Sequence, residues 1–445
     1  MIGRIGIILA GLLLVFPAGL AQAQRPGGQR MKAREDEFLK VQPRLGDAFP
    51  SLLIYASDGS PFDTSIAKEH YSVWTFGCLT CPPSIWNIAG LEAVERDFGP
   101  KGVRFYFVYK SLAHPELAGN YIQPFTLDER LMQARQAAKQ FGTKIPWVVD
   151  AMDNRLKHAL GDRPNSQFIV DPAGIVVRKR AWSDPSAVRD DLNELVGPAT
   201  TVTREEDLHL KLTETIRPAA PGGSQPRISR EGMQSLVMQP VIDDSGKPFL
   251  AKLRPEADND LVRTGSGKLY LGFHLDPIHE AHWNNLANPL QMKLDASEKV
   301  VVDARLLTAP RPNAASDSEP REFLLTVKAW PADEPLRIEV TYQACIGVEC
   351  LSLCEKYVIE RVRDENGGGA RGLGAGLWSK KEFSSRMLAD DRNQDRRLNR
   401  DEVTGLLAPH FDRLDRNGDQ MLERGEIDVV TDWLNHHHEP GLPKP

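Results

Sequence analysis

The stretch "VWTFGCLTCPPSIW", residues 73–86, places Cys78 and Cys81 between a β-rich run and a helical pattern. A cysteine at the start of a helix faces unsatisfied backbone N–H groups and the positive end of the helix dipole, which favour thiolate over thiol. Cys81, followed by Pro82 and Pro83, has that setting, since proline is tolerated in a first helical turn. The spacing therefore predicts a redox pair, with Cys81 as the attacking thiolate and Cys78 as the resolving thiol. A Cys-x-x-Cys pair is also half of many zinc sites. Here no second Cys-x-x-Cys occurs and no histidine follows at finger spacing, so redox chemistry ranks above zinc, with an inert buried pair as the remaining alternative.

The acidic tail carries a second chemistry. "DRNQDRRLNRDE" (391–402) and "DRNGDQMLERGE" (415–426) each present oxygen ligands at loop positions 1, 3, 5, 9 and 12. A hard cation such as calcium takes six to eight oxygens, two of them from the closing glutamate. The expected ligands are Asp391, Asn393, Asp395, Asn399 and Glu402 in the first loop. In the second they are Asp415, Asn417, Asp419, Glu423 and Glu426. Arg397 and Met421 would add backbone carbonyls, and Leu398 and Leu422 would form the short β contact of paired loops. Position 6, ordinarily glycine, is Arg396 and Gln420.

Those residues have to be positioned by more than one core. A chain of 445 residues predicts two or three domains. A net charge of -6 gives no electrostatic basis for binding nucleic acid. Residues 1–23 read as a signal peptide, with an apolar run ending in Ala21-Gln22-Ala23; no later stretch is long and apolar enough to span a membrane. The expected compartment is periplasmic or extracellular, where disulfides persist. Residues 24–45 read as a tether. From 46 to 197 the order β-α-β-α-β-β-α suits a thioredoxin-like mixed sheet flanked by helices, with a cis-proline expected at Pro164 or Pro146. A linker (198–230) leads to short alternating runs over 231–362 that read as a β-sandwich of immunoglobulin type. A Gly-rich linker (363–377) precedes a small all-α EF-hand pair at 378–436.

The other three cysteines, Cys345, Cys350 and Cys354, cluster in "TYQACIGVECLSLC". Four residues between two cysteines at a strand end, in an oxidising compartment, predict a Cys345–Cys350 disulfide, with Cys354 left over. His274, His279 and His282 read as ordinary surface and core histidines.

"FGCLTCPP", "AHPELAGNYIQPFTLDERLMQARQ", "VVDAMDN" and "FIVDPAGIVV" follow one another as in the iodothyronine deiodinase family, which residues 45–197 resemble. The resemblance implies a thioredoxin-like fold, puts Cys81 at the nucleophile position and makes His114 a general acid or base. Two positions depart from it. Leu112 stands where the family has glutamate, and Pro124-Phe125 stand where it has histidine. The Tyr-Gln-x-Cys segment around Cys345 resembles the N-terminal domain of periplasmic thiol:disulfide interchange reductases, in which such a pair relays electrons.

The expected protein is an exported thiol oxidoreductase with calcium as its cofactor. It would act on a thiol, disulfide or small redox substrate, with a redox partner protein and no nucleic acid. Reductive dehalogenation and a non-enzymatic calcium-responsive scaffold are the alternatives.

Overall fold

The computed structural model describes residues 26–113, 115, 121–210, 227–242, 247–364, 397–403, 411, 415 and 418–422. The signal peptide, His114 and the Gly-rich linker from residue 365 onward lie outside them. So do Asp391, Asn393, Asp395, Asn417, Glu423 and Glu426 of the predicted calcium ligands.

The first unit is a seven-stranded mixed sheet. Its strands are β1 (Leu53–Ala56), β2 (Pro61–Asp63), β3 (Ser72–Gly77), β4 (Arg104–Tyr109), β5 (Trp147–Val149), β6 (Gln167–Val170) and β7 (Val176–Arg180), in the order β2-β1-β5-β4-β3-β6-β7. β3, β4 and β5 are parallel, while β6 and β7 run antiparallel. All six residues of β3 are buried, as expected of a central strand covered on both faces.

Five helices serve this sheet: α1 (Pro26–Lys40), α2 (Pro82–Phe98), α3 (Leu127–Phe141), α4 (Arg155–Ala159) and α5 (Pro185–Val196). Apolar residues of α2, α3 and α5 fill one face of the sheet, and those of α1 and α4 the other. The helix ends are closed by ordinary capping chemistry. Thr126 accepts the Glu129 N–H at 3.2 Å, Asp184 accepts the Ala187 N–H at 3.1 Å, and Gly142 closes α3 at φ +64°. A β-strand feeding α2, a parallel neighbour, then an antiparallel β6-β7 pair and a final helix make this a thioredoxin-like unit.

Three expectations change here. The tether is largely helix: α1 docks by Phe38, whose ring meets Phe168 at 6.0 Å, and by Glu35, which accepts the Ala181 N–H at 3.0 Å. One buried aromatic is too little to show helical periodicity in a basic sequence. The start of the linker is also packed, with Thr203 donating its N–H to Asp97 of α2 at 2.9 Å. The cis-proline bond among the described residues is Gln42–Pro43, not one preceding Pro164 or Pro146.

The second unit is antiparallel throughout. It comprises β8 (Gln234–Pro240), β9 (Ala251–Ala257), α6 (Asn259–Thr264), β10 (Gly267–Leu275), β11 (Ala281–Asn284), β12 (Gln291–Asp295), β13 (Val301–Val302), β14 (Leu306–Thr308), β15 (Ser316–Asp317), β16 (Arg321–Ala329), β17 (Leu336–Ile346) and β18 (Glu349–Arg363). Instead of two separate sheets, one hydrogen-bonded path runs through β8, which pairs with β9 at its start and β18 further on. Its two halves share one core, where Phe273 of β10 lies 6.4 Å from Tyr357 of β18.

β9, "AKLRPEA", is buried at all seven positions, although Lys252, Arg254 and Glu256 alternate along it. Glu256 pairs with Arg230 of the same unit at 2.7 Å, and the other two meet the thioredoxin-like unit. Arg254 donates to the carbonyls of Tyr121 (2.7 Å) and Pro115 (3.2 Å), and Lys252 pairs with Glu129 of α3 at 2.8 Å. In the tail, β19 (Leu398–Asn399) pairs antiparallel with β20 (Met421–Leu422), with Leu398 opposite Leu422.

Candidate active site and paired tail loops

Cys78 and Cys81 sit in the turn from β3 to α2, with side chains 0% and 2% exposed. Gly77 permits that turn to be tight. A Cβ there would lie 2.3 Å from Ser84 Oγ in the first turn of α2.

The two sulfurs have different surroundings. Cys78 Sγ accepts the Ala113 N–H at 3.3 Å and lies 3.7 Å from the Lys110 Nζ. Thr80 Oγ1 is 3.5 Å away and donates its own hydrogen to the Ala113 carbonyl at 2.5 Å, leaving its lone pairs for the Cys78 thiol. Lys110 is itself 1% exposed and donates to the Ser111 carbonyl at 2.9 Å.

Cys81 caps α2 without a side-chain hydrogen bond. Burial, with Cys78 beside it, pushes its thiol up to about 12, against the opposing pull of Lys110 and the Ser84 N–H. The expectation of a depressed Cys81 thiol is therefore corrected. Pro82 and Pro83 occupy the first helical positions and have no N–H to offer, so half of the argument for a helix-stabilised thiolate is missing at this helix. Charge-stabilising donors converge on Cys78 instead.

Lys110 and Thr80 were not among the sequence candidates. The available signal was a lysine directly after the apolar strand "RFYFVY", a place where an unpaired ammonium would be costly. The two departures from the deiodinase pattern have packing roles. Leu112 is buried, and its backbone exchanges two 2.8 Å hydrogen bonds with the Gln123 amide. Phe125 inserts against the second unit, 5.1 Å from Phe249 and 6.1 Å from Tyr357.

Cys345 and Cys350 are joined in a disulfide across the β17–β18 hairpin, where they are direct register partners. Cys354 stands exposed four pairs further along β18. The three histidines do not meet. His274 is fully buried beside the Tyr270 hydroxyl at 3.3 Å, and its burial and the nearby arginines hold it well below the usual histidine range. His282 lies opposite Cys345, and His279 faces Glu129 at 3.7 Å. Among the described residues no group of three or more His, Cys, Asp or Glu side chains could hold a metal ion.

The described part of the tail keeps the geometry of paired loops. Asp415 accepts the N–H groups of Gly418 (2.8 Å), Asp419 (3.1 Å) and Gln420 (2.8 Å), and Glu402 accepts the Asn399 N–H at 3.1 Å. Gln420 has φ +64°, so position 6 adopts the left-handed conformation although its residue is not glycine.

No family model matches the chain, that of the deiodinases included, and no curated protein matches it. Solved structures resemble about a third of it. A putative thiol:disulfide interchange protein DsbE from Chlorobium tepidum is 14% identical over 34% of this chain and 98% of its own, with a TM-score of 0.28. The thioredoxin domain of a thiol-disulfide oxidoreductase from Bacteroides vulgatus is 17% identical over 34% and 97%, at 0.27. A thioredoxin family protein from Chlorobium tepidum TLS is 17% identical over 35% and 99%, also at 0.27. The thioredoxin-like assignment rests on the strand order and connections of this chain itself. Among the described residues no helix is long and apolar enough to cross a membrane.

Proposed function

We propose that the protein is an exported thiol:disulfide oxidoreductase whose working pair is Cys78 and Cys81, with Cys78 as the attacking sulfur. The observation that carries this is the donor set around Cys78 Sγ: the Ala113 N–H and the Lys110 ammonium. In the reaction, the Cys78 thiolate attacks one sulfur of a substrate disulfide, forming a mixed disulfide and releasing the other sulfur as a thiolate. Cys81 then attacks the Cys78 sulfur, forming the Cys78–Cys81 disulfide, and its proton passes to the departing substrate sulfur, which leaves as the second thiol. Two electrons pass from the pair to the substrate. The raised Cys81 thiol stays protonated during the first step, which leaves that attack to Cys78. The export signal and the Cys345–Cys350 disulfide support an oxidising compartment.

The test is the alkylation of Cys78 by iodoacetamide, read site by site by mass spectrometry. Lys110→Met should slow it roughly ten-fold near neutral pH, because an opposite charge within a few ångströms favours the thiolate. An unchanged rate would remove Lys110 from the mechanism.

The tail reading is a calcium-binding pair of loops, with Glu402 and Glu426 as the closing ligands and Asp391, Asn393, Asp395, Asn399, Asp415, Asn417, Asp419 and Glu423 completing the sets. The β19–β20 pairing and the turn geometry at Asp415 support it. Gln420→Gly removes a left-handed non-glycine residue, a conformation that costs about 1–2 kcal/mol. The variant should bind calcium roughly five-fold more tightly by calorimetry on the full chain. Equal or weaker binding would show that position 6 does not limit the site.

A further inference from the structure

Between the two units lies a cavity of about 700 Å³ that the thiol chemistry does not use. One wall is the start of α3, and the others come from Val241, Ile242 and residues 247–249 and from the β17–β18 ribbon. At its polar end, Glu129 uses Oε2 to accept the Phe125 N–H at 2.6 Å and the Lys252 ammonium at 2.8 Å. Its Oε1 faces His279 Nε2 at 3.7 Å, beyond hydrogen-bonding distance. The His279 side chain is 8% exposed, and its Nε2 is buried without a hydrogen-bond partner. A buried polar atom left in that state is costly unless something fills the site.

Charge narrows what that is. Around this end stand the carboxylates of Asp128, Glu129 and Asp276 against the ammonium groups of Lys247 and Lys252, three negative charges to two positive. Glu355, on the adjoining wall, is pushed up to about 8 by burial. An anion would meet excess negative charge. A metal ion would find one carboxylate oxygen and one imidazole nitrogen, too few for a protein site. The remaining lining includes Phe249, Pro248, Pro289 and Met132, which favours an apolar body.

We propose that this cavity binds a small organic amine, its ammonium donating to Glu129 Oε1 and His279 Nε2 and its apolar part lying against Phe249. The volume is that of ordinary small-molecule sites. The proposal is independent of Cys78 and Cys81.

The test is calorimetry on the full chain with benzylamine and its neutral counterpart, benzyl alcohol. Benzylamine should bind saturably and at least roughly ten-fold more tightly, the scale of a charge-assisted hydrogen bond. Glu129→Gln should remove the preference for the amine. Because Glu129 also pairs with Lys252, a second variant is needed, Met132→Trp, which fills the cavity from a half-buried position without touching the charges. It should lose at least roughly ten-fold in benzylamine affinity while keeping the wild-type melting temperature. No saturable benzylamine binding would overturn the proposal. So would equal binding of the alcohol, or an affinity unchanged by Met132→Trp.

Discussion

Cys78→Ser is expected to lose at least roughly 10³-fold in turnover of a disulfide dye, because a serine hydroxyl forms no comparable anion near neutral pH. Cys81→Ser should behave differently. Its Cys78 still has the Ala113 N–H and the Lys110 ammonium beside it, so the first attack survives and a mixed disulfide at Cys78 accumulates. Mass spectrometry after a single turnover separates the two. Both sulfurs are buried, so reagent access needs local opening, and that factor is common to both variants. A mixed disulfide trapped at Cys81 in Cys78→Ser, with none in the converse variant, would reverse the roles. Wild-type turnover in both would leave the thioredoxin-like unit as a scaffold.

The strand and helix order of the first unit was legible because its elements announce themselves. β3 and β4 are short runs rich in aromatic and β-branched residues, α3 and α5 carry Thr126 and Asp184 as caps, and Gly142 ends α3. The Cys345–Cys350 pairing was legible for a related reason, since two cysteines flanking a hairpin turn fall in register. The β1–β2 hairpin was missed, its strands being only four and three residues long.

β9 was missed for a more instructive reason. Lysine, arginine and glutamate alternate along it as on a solvated face, whereas here Lys252 and Arg254 are covered by the other unit and Glu256 pairs with Arg230 of its own unit. Sequence patterns report burial against water, and they cannot report burial against a second domain. The same limit hid the cavity between the units. At Cys81 the sequence did not show the burial that mainly raises the thiol, and the prolines that mark the helix start remove two of the N–H donors that would oppose it.

The covered face leads to the other large effect. Lys252 is fully buried between two carboxylates, Glu129 Oε2 at 2.8 Å and Asp276 Oδ2 at 2.7 Å, and its ammonium also lies 4.7 Å from the centre of the Phe125 ring. Lys252→Met keeps the length of the side chain and deletes the charge, leaving two buried carboxylates close together. Breaking a buried pair in this way costs about 3–5 kcal/mol, so the urea midpoint of the variant at pH 7 should fall well below that of wild type. Lys268→Met, at an exposed position, is the control.

The pH dependence follows from the direction of each shift. The hydrogen bonds and charge around Glu129 outweigh its burial and hold it below the usual carboxylate range. Its contribution is therefore present above the unfolded value, about 4.3, and is lost as pH falls through the lower folded value. The two carboxylates, despite its burial, hold Lys252 above the usual lysine range. Its contribution is fully present below about 10.4 and is lost as pH rises through the higher folded value. The gap between wild type and Lys252→Met should thus form a plateau across neutral pH and narrow at both extremes. On the acid side it narrows early, because the unpaired carboxylates of the variant take up protons at higher pH than in wild type. A gap below about 1 kcal/mol at pH 7, the scale of an exposed pair, would mean that water reaches Lys252 and that the face between the two units is open in solution. A large gap that did not change with pH would assign the loss to packing around the Phe125 ring instead of to charge.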